Sequence, residues 1–568
     1  MRIKILRVVI IVAFFWIALN LVYVQVIRGQ YFYNLSKNNR IRIVASEGRR
    51  GRIFDRNGTI LADNRVAFNV LVIPQEIKDK EELFGFLSAS LGVNEEKLLK
   101  KYRQKLLGAF APITLAEDIP RETAIVLEEN KFRFPGLFMQ ESFRRFYPGR
   151  ETSAHAVGYV GKINVSRIEK FKEYGYTAQS IVGYSGVEEF YDPYLKGEEG
   201  GLQIEVDSRG QQVRLLSFKE ALQGQDLTLS IDDRIQRLST ELMAARPGAL
   251  IVMDLETGEV LGLISSPSYD PNIFIQNTRA ESAAVFSNPQ SPLINRAVGG
   301  QFPPGSVFKL PVALGALETQ KITPHTTFHC PGFFELGTQQ FRCAHIHGDQ
   351  DLIQAIAHSC NVYFNHVGLT VGPDVIGKYA LMLNLGQPTK IDLPYEAKGL
   401  VPGRYQKKNK EPWYKGDTVN LSIGQGDTLA TPVQLIQMMA TIARNGKEIQ
   451  PHLIKSIGGR EIVYASQKRP VQLKEKTWEA VQQGLRATIT EPTGTAHILD
   501  LPGVEVFGKT GTAQSSKGKE DHSWFVGYGI SQRGKIAFCV FLEHGGSSYN
   551  ACLTGRDLLM KLQEQEIL

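Results

Sequence analysis

Residues 8–27, VVIIVAFFWIALNLVYVQVI, run for twenty positions without a charge, about the length at which a helix crosses the hydrocarbon core of a bilayer. Such a run has to be buried in lipid or in protein, so it constrains everything that follows it. A secretory signal peptide is the competing reading. Its apolar region is shorter and is followed by a small-x-small cleavage site, which LVYVQVIRGQYF lacks. The expectation is a retained transmembrane helix over residues 8–28 behind a short cytoplasmic tail, 1–7. Arg2, Lys4 and Arg7 precede the run and favour an N-terminus inside, with an extracytoplasmic body. Asn20, polar and deep in the span, either bonds a partner helix or is a tolerated amide.

At 568 residues the chain is too long for one core, and at least two domains are expected. With 43% hydrophobic and 22% charged residues it has the composition of a folded protein, not of a disordered one. The net charge of +7 suits a body beside an anionic membrane or wall. It is spread too thinly, without aromatics set among basic clusters, to imply a nucleic-acid partner.

After a basic stretch, GRRGRIFDRNGTILADNRVAFNVLVIP (48–74) places Asn57-Gly58 at a tight turn and Val66 to Ile73 on a strand. Residues 80–107 carry helical spacing, and glycine-rich connectors follow. A second unit is expected from 220, where GALIVMDLETGEVLGLISSP reads as a hairpin turning at Glu256-Thr257-Gly258. Helical patterns dominate from 306 to about 445, and strands return at GVEVFGKTGTAQ, DHSWFVGYGI and KIAFCVFLEHG. The expected fold is α+β: a membrane-proximal domain over 29–219, then a domain over 220–568 whose antiparallel sheet is made from both of its ends, with helices packed on it.

Ser306 and Lys309 lie three apart in QFPPGSVFKLPVALGAL, on one face if the segment is helical. A serine is a poor nucleophile at neutral pH. A neighbouring lysine whose pKa is lowered by burial or by a second cation can take its proton. Gly305 permits a sharp entry, and a helix N-terminus offers N–H groups to an oxyanion. Pro311 fits poorly if the helix starts at Ser306. The pair proves little alone, because Ser516 and Lys519 repeat its spacing. Ser359-x-Asn361 is equally weak alone, with Ser36/Asn38 and Ser548/Asn550 as further matches. The specific signal is the ordered set that ends in Lys509-Thr510-Gly511-Thr512 on a strand.

Five cysteines in an exported chain raise the question of disulfides. Cys330, Cys343 and Cys360 fall between the first two motifs, and CAHIHGD adds His345 and His347. Three thiolates and an imidazole complete a tetrahedral zinc set, but a Cys330–Cys343 disulfide or buried thiols fit the spacing as well. Cys539 and Cys552 read as packed thiols.

In S-x-x-K, S-x-[ND] and K-[ST]-G the chain resembles the penicillin-binding protein and serine β-lactamase superfamily. NRAVGGQFPPGSVFK, LSIGQGDTLATPVQL, EPTGTA, DHSWFVGYG and GRIFDRNG resemble the class B penicillin-binding proteins over essentially the whole chain. The resemblance implies a pedestal or dimerisation-type domain, a transpeptidase domain, and a peptidoglycan D,D-transpeptidase that β-lactams acylate. It implies Ser306 as nucleophile, Lys309 as base, and Ser359 and Asn361 in proton relay and peptide binding. Lys509, Thr510, Gly511 and Thr512 would form the wall that binds the substrate carboxylate, and the N–H groups of Ser306 and Thr512 the oxyanion hole.

The elongation-type penicillin-binding protein 2 subgroup carries zinc in this region, with a ligand inside the middle motif. By that resemblance the ligands are Cys330, Cys343, His347 and Cys360, although some members have aspartate where Cys330 and Cys343 stand. The implied role is cross-linking of stem peptides in cell elongation and shape maintenance, with a septal transpeptidase as the alternative. The implied partners are a SEDS-type glycosyltransferase and elongation scaffold proteins. No E-D-x-x-F-x-x-H glycosyltransferase signature occurs in 30–220, so polymerase activity is not expected of this chain.

Overall fold

The structure, a computed structural model, describes residues 2–31, 41–46, 48–106, 112–171, 176, 180–206, 212–276, 279–403, 412–464, 470–515 and 518–568. Ser36, Asn38 and Ser516, three of the stray motif matches, lie outside them.

The apolar run forms a helix, Arg2–Val22, continued by a wider turn, Tyr23–Ile27. Its span Ile5–Ile27 has a mean hydropathy of 2.6 and no part of it is buried in protein. It is long and apolar enough for a single-pass membrane anchor. Asn20 donates its amide to the Trp16 carbonyl of the same helix (2.9 Å), which satisfies it without a partner.

Packing divides the chain into two compact units that do not follow chain order. One takes Met1–Gly51, Asn64–Arg144 and Lys196–Gly224. The other takes Arg52–Asp63, Arg145–Leu195 and Gln225–Leu568. In the first, helices Lys80–Leu91 and Glu95–Gln104 appear where helical spacing predicts them. Asp79 caps the first helix by accepting from the Glu82 N–H (3.0 Å), and Gly92 ends it in the left-handed conformation. Leu83, Phe84, Leu87 and Leu98 pack there with Val70, Val72, Ile113 and Leu115 of neighbouring strands.

The second unit is built on a five-stranded antiparallel sheet: β1 (Gly248–Asp254), β2 (Val260–Ser266), β3 (Glu505–Ala513), β4 (His522–Ile530) and β5 (Lys535–Leu542), in the order β2-β1-β5-β4-β3. This is the expected sheet made from both ends of the domain. Side chains alternate along a strand, and here both faces are covered. Ala249, Ile251 and Met253 of β1 enter one core, and Leu250 and Val252 enter another. The continuous apolar runs of β1 and β5 follow from that double burial.

Five helices complete this framework: α1 (Lys309–Glu318), α2 (Leu352–Ala357), α3 (Asn361–Val371), α4 (Glu475–Thr490) and α5 (Ser548–Glu564). Ala313 of α1, Ile356 of α2, Phe364 of α3 and Leu485 of α4 pack in one core, and Leu558 and Leu562 of α5 in the other. Gly484 lets α4 press on α2, since a Cβ there would lie 2.8 Å from the Ile356 side chain. Cys539 and Cys552 are buried in the cores on opposite faces and are unpaired. Burial pushes both thiols up, Cys552 to about 12.

Candidate active site

Ser306 sits on a single 3-10 turn, Gly305–Phe308, and the α-helix starts only at Lys309. Pro311 therefore falls in the first turn of α1, where backbone N–H groups have no intrahelical acceptor. Its misfit disappears because the nucleophile turn and the helix are separate pieces. The turn is held from several sides. The Gly305 N–H donates to the Gly424 carbonyl (3.1 Å), and Trp524 Nε1 donates to the Pro303 carbonyl (3.1 Å). Gly305 has φ +53°, and a Cβ there would lie 2.7 Å from the Thr512 carbonyl oxygen. One at Gly511 would lie 2.9 Å from that of Pro304. Glycine at these two positions lets the serine turn lie directly against β3.

Ser359 joins α2 to α3 with φ +56°, a conformation costly for a non-glycine residue and concentrated at functional sites. The kink brings its carbonyl to Lys309. Lys309 Nζ donates to the Ser359 carbonyl oxygen (2.7 Å) and to Asn361 Oδ1 (2.8 Å), and lies 3.3 Å from Ser359 Oγ. Among the described residues, no hydrogen bond joins Ser306 to Lys309. Burial of the Lys309 side chain draws its pKa down from 10.5 to about 8, with the Cys343 and Cys360 sulfurs pulling the other way. Lys509 on β3 is also fully buried, and its one hydrogen bond among the described residues is to the Thr510 carbonyl (3.3 Å). Burial, then the Lys309 cation, drives its pKa well below 10.5.

Ser306, Ser359, Asn361, Thr510 and Thr512 line one cleft of about 760 Å³. The structure thus brings together residues 306, 309, 359, 361 and 509–512. The cleft has further walls that motif reasoning left without roles: His358, Gln425, Thr493, Thr495 and Ser547 to Tyr549. Gln425, Thr493 and Thr495 lie in segments that the family resemblance marked, but nothing in their spacing points to a side-chain role. Ser548, set aside with Asn550 as a stray S-x-N match, also lines the cleft.

Beside the cleft, Cys330, Cys343, His347 and Cys360 bring their donor atoms within 4.8 Å of one another. Two short antiparallel pairs carry or flank three of them: Cys330 ends Phe328–Cys330, His347 precedes its partner Gly348–Gln350, and Cys343 follows Gln339–Arg342, the partner of Phe333–Leu336. The fourth, Cys360, is the N-cap of α3. His347 Nδ1 is 3.5 Å from both Cys330 Sγ and Cys343 Sγ. Cys343 Sγ accepts from the Asn361 N–H at the start of α3 (3.2 Å). A hydrogen bond from Cys360, that N–H group and the Lys309 charge hold the Cys343 thiol low, near 4, while the Cys360 thiol is pushed up.

Comparison with known proteins identifies the family. The family model "Penicillin binding protein transpeptidase domain" matches residues 248–556, and "Penicillin-binding Protein dimerisation domain" matches 45–229. The peptidoglycan D,D-transpeptidase MrdA of Haemophilus influenzae is 31% identical over 95% of this chain and 88% of its own length. The penicillin-binding protein PBP2 of Helicobacter pylori, solved in complex with MreC, is similar with TM-score 0.82 and 29% identity, over 93% of this chain and 99% of that one. A chain from a peptidoglycan synthase complex, described as coordinating polymerization and crosslinking, is similar with TM-score 0.74 and 31% identity, over 98% and 97%. Two family models in tandem and relatives matched along nearly their whole length leave one conclusion: the chain belongs to the class B penicillin-binding proteins, in their PBP2-type (MrdA) branch.

Proposed function

We propose that Ser306 carries the acyl-enzyme chemistry of this chain, an elongation-type peptidoglycan D,D-transpeptidase. The observation that carries the assignment is the hydrogen bonding of Lys309. Two of its partners, the Ser359 carbonyl and Asn361 Oδ1, can only accept. A neutral amine has two hydrogens, and those partners take both. Its lone pair is left for a hydroxyl proton, from Ser359 in the resting site or from Ser306 once substrate closes the gap. The fall of its pKa to about 8 makes that neutral form accessible near physiological pH.

Ser306 then attacks the penultimate D-alanine carbonyl while its proton passes to Lys309. The N–H groups of Ser306 and Thr512 stabilise the oxyanion, and the proton returns through Ser359 to the departing D-alanine amine. An amine from a second stem peptide resolves the ester, and the cross-link forms as Ser306 recovers its proton. Lys509, with Thr510 beside it, receives the carboxylate of the donor stem or of a β-lactam. An anion there favours the charged form of an amine whose pKa burial holds well below 10.5.

Cys330, Cys343, His347 and Cys360 are assigned to a zinc ion. Metal bonds of about 2.0–2.3 Å give a tetrahedron with edges of roughly 3.5 Å, and the two sulfur–nitrogen separations are 3.5 Å. With four protein ligands the ion's contribution is structural, tying the two short strand pairs to the turn that carries Ser359 and Asn361. The acyl transfer itself needs no cofactor.

The H. pylori relative bound to MreC and the relative within a synthase complex support an elongation scaffold and a SEDS-type polymerase as partners. The basic residues before the span support an N-terminus in the cytoplasm. The assignment is tested by incubating full-length protein in detergent with a labelled penicillin. A stable adduct mapped to Ser306, lost in Ser306→Ala, is expected, together with about one zinc per chain that Cys360→Ser releases. An adduct elsewhere overturns the nucleophile. Full metal content in Cys360→Ser overturns the ligand set.

A further inference from the structure

His358 stands between the middle motif and the far wall of the cleft and holds both. Its Nδ1 lies 2.7 Å from Gln350 Oε1. Gln350 Nε2 already donates to the carbonyls of His347 (3.1 Å) and Asp349 (3.0 Å), so the Gln350 oxygen is the acceptor and Nδ1 carries the hydrogen. Nε2 lies 3.0 Å from Thr493 Oγ1, which donates to it in the neutral ring, and 3.2 Å from Glu491 Oε2. The carboxylate can only accept, so it bonds the ring only when Nε2 also carries a hydrogen. In either form Nε2 is tied to the 491–495 turn. One residue earlier, the Ala357 carbonyl accepts from both the N–H and the hydroxyl of Thr495, each at 3.2 Å. Thr495 Oγ1 in turn bonds Thr510 Oγ1 (2.8 Å).

Residues 357 and 358 thus hold the 491–495 turn at two points, and that turn holds Thr510. On its other side His358 adjoins Ser359, whose strained backbone aims a carbonyl at Lys309. We infer that His358 is a positioning residue of the transpeptidase, a strut that sets the distance between the Ser359–Asn361 turn and the wall carrying Thr493 and Thr510. It determines how well the cleft receives the substrate's carboxylate end and touches no reacting atom. The inference rests on the assignment of Ser306 and Thr510 given above.

The two ring nitrogens can be separated by substitution. Asparagine can reproduce the Nδ1 donor, and glutamine has the reach of Nε2. The test uses full-length enzyme in detergent, with active sites counted by labelled penicillin. Stopped-flow acylation separates the apparent dissociation constant from the limiting acylation rate.

His358→Ala and Thr493→Ala are each expected to weaken binding about tenfold and to leave the limiting rate within about threefold, because each removes one end of the same link. The double variant is expected to be no worse than the poorer single one. His358→Gln should stay within about threefold of wild type, while His358→Asn should resemble His358→Ala. Loss of correctly folded enzyme would lower the count of active sites and leave both constants of the remainder unchanged. Full counts with unmoved constants overturn the inference, and so does a double variant whose defect is the product of the singles. If His358→Ala yields no folded protein, Thr493→Ala and His358→Gln decide by the same criteria. A wild-type adduct that does not map to Ser306 overturns the underlying site assignment. An adduct on Ser306 with unmoved variants overturns only the role of His358.

Discussion

Lys309 and Lys509 are the same residue in two neighbouring environments, both with 0% exposure. Lys309 has its amine fixed by two obligatory acceptors and a hydroxyl. Lys509 has, among the described residues, one long bond to a backbone carbonyl. Burial lowers the pKa of both, so burial alone cannot assign their roles. The partners do. An amine held by two pure acceptors is prepared to be neutral and to accept a proton. A buried amine with one weak partner is prepared for an anion that arrives from outside.

The largest expected consequence is for Lys309. Lys309→Met should slow acylation by penicillin about a thousandfold or more, the usual scale for losing a general base, measured as the second-order acylation rate. An unchanged rate would make the two lysines equivalent. Next, Lys509→Met should weaken acylation by about a hundredfold through binding, as expected when one partner of a buried charge pair is removed. It should also abolish the discrimination between a penicillin and its methyl ester. Persisting discrimination would place the carboxylate elsewhere.

The pH profile separates the two again. Burial depresses Lys309 to about 8, so its neutral fraction rises through that pH. Wild-type acylation should climb about tenfold per unit below it and flatten above. A flat profile from pH 6 to 9 would remove Lys309 as the base. The smallest effect concerns folding. Lys509→Met should raise stability by about 1 kcal/mol in thermal or denaturant unfolding, because it removes a poorly paired buried amine. Lys309→Met should lower stability instead, because stranding the Ser359 carbonyl and Asn361 Oδ1 at about 1–3 kcal/mol per group outweighs that gain.

The same contrast marks how far the sequence could be read. Residue order suffices for the succession of the three motifs and for a sheet drawn from both ends of the domain, because each leaves a local pattern. Spacing leaves the cysteines open between thiols, a disulfide and a metal, and only the family resemblance singles out His347. The roles of Thr493, Thr495 and His358 leave no local pattern. They arise where the turn after α4 meets the end of α2, a contact made by tertiary packing around Gly484 and Ile356. Pro311 misleads for a related reason: the chain changes from a 3-10 turn to an α-helix between Phe308 and Lys309, a shift too fine for periodicity. The exchange of segments 52–63 and 145–195 into the unit that holds the cleft is equally invisible to a division drawn along the chain.

The central sheet has a consequence for the order of events in synthesis. β1 and β2 emerge early, Ser306 follows them, and β3 to β5 come only near the C-terminus. β1 lies between β2 and β5, so until β5 arrives one edge of β1 has no partner. Contacts so distant in sequence form slowly and late. Lys509 and Thr512 are carried by β3, so Ser306 emerges well before the strand that lies against it. If those residues serve Ser306 as proposed, acylation by penicillin waits for that strand to join the sheet.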